Sequence, residues 1–286
     1  MTRIVRFTLF IIHFSFFISP VGAQNHPKTL LLWEQQRPRY SNGITGDNPC
    51  IDVYLPSFEV RGCGAGLPCV LICPGGGYRM LAPYHEGHQW APWFFGQGMA
   101  VAVLTYRLPC GNKRVPLEDA EQAMRLIRRN AEAWNIDPAR VGVMGSSAGG
   151  HLASTLATHA ADDARPDFQI LFYPVITMQP ELTHRGSHDH LLGKNATKAD
   201  EELFSNELHV KPTTAPAILI MVDDDRSVKH RNGLSYYEAL KRQGIAASLH
   251  IYPNGGHGFG FDTEFPYHDA MLRNLGDWLR HTVTGR

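Results

Sequence analysis

Apolar runs of strand length recur along this chain, and the stretches between them carry helical periodicity. Residues 68–73 (Pro-Cys-Val-Leu-Ile-Cys) and 99–106 (Met-Ala-Val-Ala-Val-Leu-Thr-Tyr) are almost continuously apolar. A strand with one wet face alternates; one that does not is buried on both faces, as in a parallel sheet covered by helices. Further strand segments lie at 140–144, 168–173, 217–222 and 247–252, and residues 50–56 alternate and end in proline, which predicts an edge strand. The clearest helix spans 117–135. There Ala120, Ala123, Met124, Ile127, Ala131 and Trp134 recur at three- and four-residue steps, while Glu118, Glu121, Arg125 and Arg129 face away. Other helical stretches are 85–95, 151–159, 233–243 and 265–281. Strands alternating with helices mean right-handed crossovers and a mostly parallel central sheet with helices on both faces, an α/β fold.

The termini and the composition narrow the setting. Arg3 and Arg6 precede a short apolar stretch over residues 7–18, and Pro20-Val-Gly-Ala23 follows. A basic start, a short apolar core and a small-residue cleavage site predict a signal peptide over residues 1–23 and export to the periplasm or medium. The run is too short for a comfortable membrane span of about 20 residues, so no membrane insertion is expected after cleavage. Residues 24–286 then read as a single catalytic domain, opening with a polar, irregular lead-in over 24–48. Lys plus Arg and Asp plus Glu balance at 27 each, without charge runs, which argues against a nucleic-acid partner. The five cysteines leave at least one free thiol. Cys63 and Cys69 flank a glycine-containing turn and could pair, whereas Cys73 reads as a buried free thiol. Their spacings match no usual zinc pattern, and no motif calls for a metal or other cofactor. Oligomeric state is not legible.

The chemistry concentrates at the predicted strand ends. Gly145-Ser-Ser-Ala-Gly149 is a G-x-S-x-G turn between a strand and a helix, the setting that lifts its middle residue, Ser147, out of the sheet as a nucleophile. The glycines leave room on either side of it; Ser146 is only a neighbour. Pro74-Gly-Gly-Gly-Tyr78 follows the buried strand at 68–73, so backbone N–H groups of Gly76 or Gly77, with that of Ala148, are candidate donors to an oxyanion. A serine hydroxyl needs a base. Among fifteen histidines, His257 sits in the glycine-flanked turn 254–259 after the last strand. The orienting acid lies among Asp223, Asp224 and Asp225, with Asp225 favoured for its Asp-x-x-Val context and Asp224 next. In an open parallel sheet these loops converge on one crevice. The long irregular segment 176–214 reads as an insertion covering part of it.

With these residues in place the chain resembles the exported bacterial α/β-hydrolases grouped with acetyl esterases and acetylxylan or feruloyl esterases, some labelled endo-xylanase B-like. The matching segments are Pro74-Gly-Gly-Gly-Tyr78, His85-Glu-Gly87, Tyr106-Arg-Leu-Pro109, Val143-Met-Gly-Ser-Ser-Ala-Gly-Gly-His-Leu152, Leu191-Leu-Gly193, Ser205-Asn-Glu207 and Tyr252-Pro-Asn-Gly-Gly-His-Gly-Phe259. The resemblance implies an α/β-hydrolase fold and a serine carboxylesterase acting on short acyl, chiefly acetyl, esters of plant-wall carbohydrate such as xylan. Its partner is then an acylated oligo- or polysaccharide. Around the acid the chain departs from the group's usual His-Thr-x-Asp-Asp-x-x-Val-Pro and keeps only the Asp-x-x-Val core.

Several features have two readings. His85-Glu-Gly-His88 lacks the spacing of a zinc helix, and Glu86 instead reads as lining the mouth of the site, with Tyr78 as a second substrate contact. Trp90, Trp93, Phe94 and Phe95 resemble a sugar-stacking platform, but crowded aromatics in a helix favour core. His184, His188 and His190 in the insertion read either as solvated loop residues or as part of the substrate wall, with solvation favoured. Two other functions fit the same residues less well. A peptidase of the prolyl-oligopeptidase kind shares the Ser, Asp, His order but has a long N-terminal propeller. A non-catalytic carbohydrate binder on this scaffold has no use for a complete Ser–Asp–His set with a donor loop.

Overall fold

The computed structural model describes residues 27–33, 48–56 and 66–285. The expected signal peptide and Cys63 lie outside them. Eight strands form one sheet: β1 (Lys28–Leu31), β2 (Cys50–Tyr54), β3 (Leu67–Cys73), β4 (Ala100–Thr105), β5 (Ile136–Ser146), β6 (Gln169–Phe172), β7 (Ala217–Val222) and β8 (Ala247–Tyr252). Their order is β1-β2-β4-β3-β5-β6-β7-β8. The first two pairings, β1 with β2 and β2 with β4, are antiparallel; every later pairing is parallel.

Two layers of helices explain why the central strands do not alternate. On one face pack α2 (Val115–Arg129), α4 (Ala148–His159) and α7 (Arg231–Arg242), against Cys69, Leu71 and Cys73 of β3 and Leu219 of β7. On the other pack α1 (Ala91–Gly96) and α8 (His268–Leu279), against Val70 and Ile72 of β3 and Ile218, Ile220 and Val222 of β7. Every residue of β3 and β7 is therefore buried. Trp90 and Phe94 are fully buried in the second layer, and Trp93 and Phe95 pack against it, so these aromatics are core.

Four elements differ from the expectation. The polar composition of 24–48 predicts no structure, yet Lys28–Leu31 pairs with β2 and takes the edge position, so β2 lies one strand in. The predicted helix at 117–135 breaks at Asn130, whose side-chain amide donates to the Leu126 carbonyl at 2.8 Å. A short helix, α3 (Ala131–Trp134), follows and ends at Asn135 in the left-handed region at φ 53°. Finally, residues 176–214 are not irregular: they hold α5 (Arg185–Leu192) and α6 (Lys198–Leu203). This segment covers the outer side of α4, which explains why α4 is buried from Ala148 to Thr158. Asn206 makes the join, donating to Ser154 Oγ at 2.7 Å, Thr155 Oγ1 at 3.0 Å and the His151 carbonyl at 3.2 Å.

Cys69 and Cys73 are free thiols within β3. Burial pushes both thiol pKa values up, which keeps them neutral. No helix among the described residues is long and apolar enough to cross a membrane.

Candidate active site

The turn from β5 into α4 is forced by backbone sterics. A Cβ on Gly145 would stand 2.1 Å from the Gly149 carbonyl oxygen, and one on Gly149 would stand 2.0 Å from the Cys73 carbonyl oxygen. Only hydrogen fits at either place. Between them Ser147 is held at φ 54°, ψ −119°, a strained conformation costing about 1–3 kcal/mol. The surroundings over-determine it. Its N–H donates to the Phe172 carbonyl at 3.0 Å, and its own carbonyl accepts from His151 N–H at 3.1 Å and Val175 N–H at 3.0 Å. Ser146, beside it, is fully buried.

Loops from two further strands meet this turn. Ser147 Oγ lies 2.8 Å from His257 Nε2, and His257 Nδ1 lies 2.7 Å from Asp225 Oδ2. An ionised carboxylate can only accept, so Nδ1 carries the proton and Nε2 is the lone-pair face turned to the hydroxyl. Asp225 is 6% exposed, and its second oxygen accepts from the N–H groups of Ser227 at 2.8 Å and Val228 at 2.9 Å. The Asp-x-x-Val segment is thus a turn closed by its own aspartate.

The three adjacent aspartates have separate work. Asp224 is exposed and accepts from Gly256 N–H at 2.9 Å, bracing the turn that carries His257. Asp223, also exposed, faces His230 at 3.2 Å.

The glycine loop after β3 completes the ring. Gly76 and Gly77 have φ of 126° and 65°, values that favour glycine. Among the described residues, the N–H groups of Gly76, Gly77 and Ala148 donate to no protein acceptor, whereas Gly75 N–H is bound to Glu86 Oε2 at 2.7 Å. A row of unpaired N–H groups beside a serine hydroxyl is what an oxyanion needs. Glu86 is buried at the floor of the cleft; its other oxygen accepts from the Tyr173 hydroxyl at 2.8 Å, and that hydroxyl accepts from Gly260 N–H at 2.9 Å. Both carboxylate oxygens are therefore engaged within the protein, which makes Glu86 a tie between the two loops. The Tyr173 ring also packs edge-on against His257, 4.9 Å between centroids.

Tyr78 is not a cleft residue. It is 3% exposed, and its hydroxyl lies 2.9 Å from His151 Nδ1, on the side of the loop turned to α4. His151 Nε2 lies 2.8 Å from the Phe204 carbonyl, which can only accept, so Nε2 carries the proton and Nδ1 accepts from Tyr78. Burial lowers the His151 pKa to about 4, so the ring is neutral. His88, in the His-Glu-Gly-His segment, pairs with the Tyr54 hydroxyl at 2.9 Å. Among the described residues no cluster of three His, Cys, Asp or Glu could hold a metal ion.

The opposite wall holds Arg79 and Met80, which sequence reasoning missed, and His184 and His190, for which a place in the wall was the less favoured reading. An open cleft of about 870 Å³ runs from Ser147, His257 and Gly77 to Arg79, Met80, His184 and His190. His184 is half-buried and accepts at Nδ1 from Ser187 N–H at 3.2 Å, capping α5. Burial, followed by the neighbouring His257, lowers its pKa. His188, predicted to be solvated, is instead buried between Asp189 at 2.8 Å and Glu201 at 2.9 Å. The one available signal was helix capping, with His184 three residues before Ser187; histidine is a weak capping residue and gives little to read.

A serine held at positive φ between a parallel strand and a helix, with an acid and a base returned by later strand ends, defines the class to which the chain belongs. Residues 71–261 match the family model of the alpha/beta hydrolase fold, and the chain is a member of that family. It is 46% identical over 211 residues to an acetylxylan esterase of Xylanibacter ruminicola, covering 72% of this chain and 44% of that protein. Over 242 residues it is 34% identical to endo-1,4-beta-xylanase B of Butyrivibrio fibrisolvens, covering 79% of this chain and 37% of that one. The chain thus spans less than half the length of these two curated relatives. Among solved structures it superposes on an acetyl ester-xyloside bifunctional hydrolase from Caldicellulosiruptor lactoaceticus, with a TM-score of 0.82 and 34% identity. That match covers 91% of this chain and 98% of the other.

Proposed function

We propose that this protein is an exported serine carboxylesterase that removes short acyl groups, chiefly acetyl, from plant-type carbohydrate such as acetylated xylan. The observation that carries the reading is the continuous Ser147–His257–Asp225 hydrogen-bond chain beside unpaired backbone donors. The names of the two relatives and of the solved structure, which concern xylan, acetyl esters and xylosides, support the substrate class.

In this reading Ser147 Oγ attacks the ester carbonyl as His257 Nε2 takes its proton. The carbonyl oxygen becomes an anion held by the N–H groups of Ala148 and of Gly76 or Gly77, each donor contributing about 3 kcal/mol. The tetrahedral intermediate collapses, the C–O bond to the sugar breaks, and His257 gives its proton to the departing sugar oxygen, which leaves as a hydroxyl. Water then enters and loses a proton to the same nitrogen as its oxygen bonds to the acyl carbon; the bond from that carbon to Ser147 Oγ breaks, His257 returns the proton to Oγ, and the carboxylic acid leaves. Asp225 stays ionised, orienting the ring and stabilising the imidazolium. The domain assignment belongs to the same proposal: residues 1–23 direct export and 24–286 form one catalytic unit.

Turnover of acetylated xylo-oligosaccharides, p-nitrophenyl acetate, longer acyl esters and a peptide amide by the purified protein tests the reading. Acetate release from the sugar esters and the short aryl ester, with none from the amide, is expected. Amide cleavage would favour the peptidase, and absence of any ester turnover would favour a binder.

A further inference from the structure

The insertion presents to the cleft a fixed polar atom, His184 Nε2, that has no protein partner among the described residues. His184 Nδ1 accepts from Ser187 N–H at 3.2 Å and lies 2.9 Å from Ser187 Oγ. Nδ1 therefore has no proton, and Nε2 has it. Among the described residues Nε2–H has no acceptor, and it is not among the enclosed polar atoms that lack one, so it opens to solvent. The ring stands over the donor loop: a Cβ at Gly77 would lie 4.0 Å from His184 Cε1. It shares the cleft with Ser147 and His257. Burial and the facing His257 keep the imidazole neutral. The result is an uncharged donor, fixed in tautomer and position by a helix cap, across the cleft from the nucleophile.

We propose that His184 is a specificity-determining residue whose Nε2–H donates to a sugar hydroxyl next to the esterified carbon, so that the insertion reads the alcohol side of the ester. The proposal rests on the reading of the site as a sugar esterase. A neutral donor suits a hydroxyl oxygen. A bond to the alcohol part favours substrates that carry a vicinal hydroxyl over those that do not. His190 and Arg79, exposed at the same wall, are further from any such fixed geometry.

Two substitutions separate the cap from the donor, because an asparagine amide reaches the place of Nδ1 and a glutamine amide that of Nε2. The test measures kcat/KM of wild type, His184→Asn and His184→Gln on methyl 2-O-acetyl-β-xyloside, its 3-deoxy counterpart and p-nitrophenyl acetate, with Tm for each protein. His184→Asn should keep Tm and lower the preference for the 3-hydroxyl sugar over its 3-deoxy counterpart about tenfold, the worth of one hydrogen bond. His184→Gln should lower Tm and keep most of that preference. An unchanged preference in His184→Asn, or equal losses on all three esters, would overturn the proposal while leaving the esterase reading intact. If wild type turned over none of the esters, both would fall.

Discussion

The turn at residues 145–149 and the insertion at 176–214 meet at one cleft but are specified by different physics. The turn is fixed by what cannot fit: Cβ atoms at Gly145 and Gly149 would lie about 2 Å from backbone oxygens, so the chain has a single path there. The insertion is fixed by which side chains find partners. His188 sits between two carboxylates, Asn206 is bonded to three groups of α4, and Asn232 of α7 accepts from Ile176 N–H at 3.0 Å. Steric exclusion acts at contact range, here against Gly149 in the same turn and against Cys73 of β3, and tolerates no substitution. Hydrogen-bonded docking acts over long sequence separations and can be rebuilt residue by residue, which suits a wall proposed to meet the sugar.

If that contrast is right, damage to the turn region should destroy chemistry, and damage to the docking should loosen the protein. The largest effect is expected for Ser147→Ala, a loss on the order of 10⁶ in kcat without change of fold; circular dichroism and ester turnover check both halves. Asp225→Asn should lower kcat by about 10⁴, through loss of the tautomer that the carboxylate enforces. Asp224→Asn keeps an oxygen for Gly256 N–H and should cost less than about tenfold, because one loop hydrogen bond is worth only about 1 kcal/mol. Similar losses from the two variants would break the assignment of separate work to adjacent aspartates.

The docking side should show in stability. The pKa of His151 is lowered from 6.5 to about 4 in the folded protein. The unfolded chain therefore binds the proton first as pH falls. The contribution is fully present above pH 6.5 and is lost progressively down to pH 4, by then on the order of 3 kcal/mol. Urea unfolding at pH 7 and pH 4.5 measures the slope, and His151→Gln should flatten it. Smaller still, Asn206→Ala should destabilise by about 2 kcal/mol, since it removes the amide that donates to three buried oxygens of α4. Its kcat on p-nitrophenyl acetate should fall far less than that of Asp225→Asn. A collapse of kcat without loss of stability would make the insertion part of the chemistry.

The same contrast governs what could be read from the chain alone. The glycines of 75–77 and 145–149 and the buried strands before them leave a local pattern in the sequence, so the parallel sheet and the candidate serine turn were legible in residue order. His257 and the aspartate cluster were legible too, as loops after consecutive strands. The structure places His257 on Asp225 and gives Asp224 a bracing bond. Long-range pairing was not legible. Strand β1 (Lys-Thr-Leu-Leu) lies inside a stretch read as polar and irregular, and forms because β2 offers it an edge; His188 is buried because Glu201 stands thirteen residues away. Tyr78 lies in a glycine loop beside the site, yet its ring points to His151, a partner 73 residues on. Likewise the cleft wall formed by His184 depends on a cap three residues along and on where the whole insertion docks.

The central claim is that Ser147 is the activated oxygen and Ser146 an inert neighbour. The most direct measurement is covalent labelling with diethyl p-nitrophenyl phosphate followed by peptide mapping, in wild type, Ser147→Ala and Asp225→Asn. One phosphoryl group on Ser147 in wild type, none in Ser147→Ala and a strongly slowed reaction in Asp225→Asn are predicted. A label on Ser146, or equal labelling of wild type and Ser147→Ala, would contradict the account.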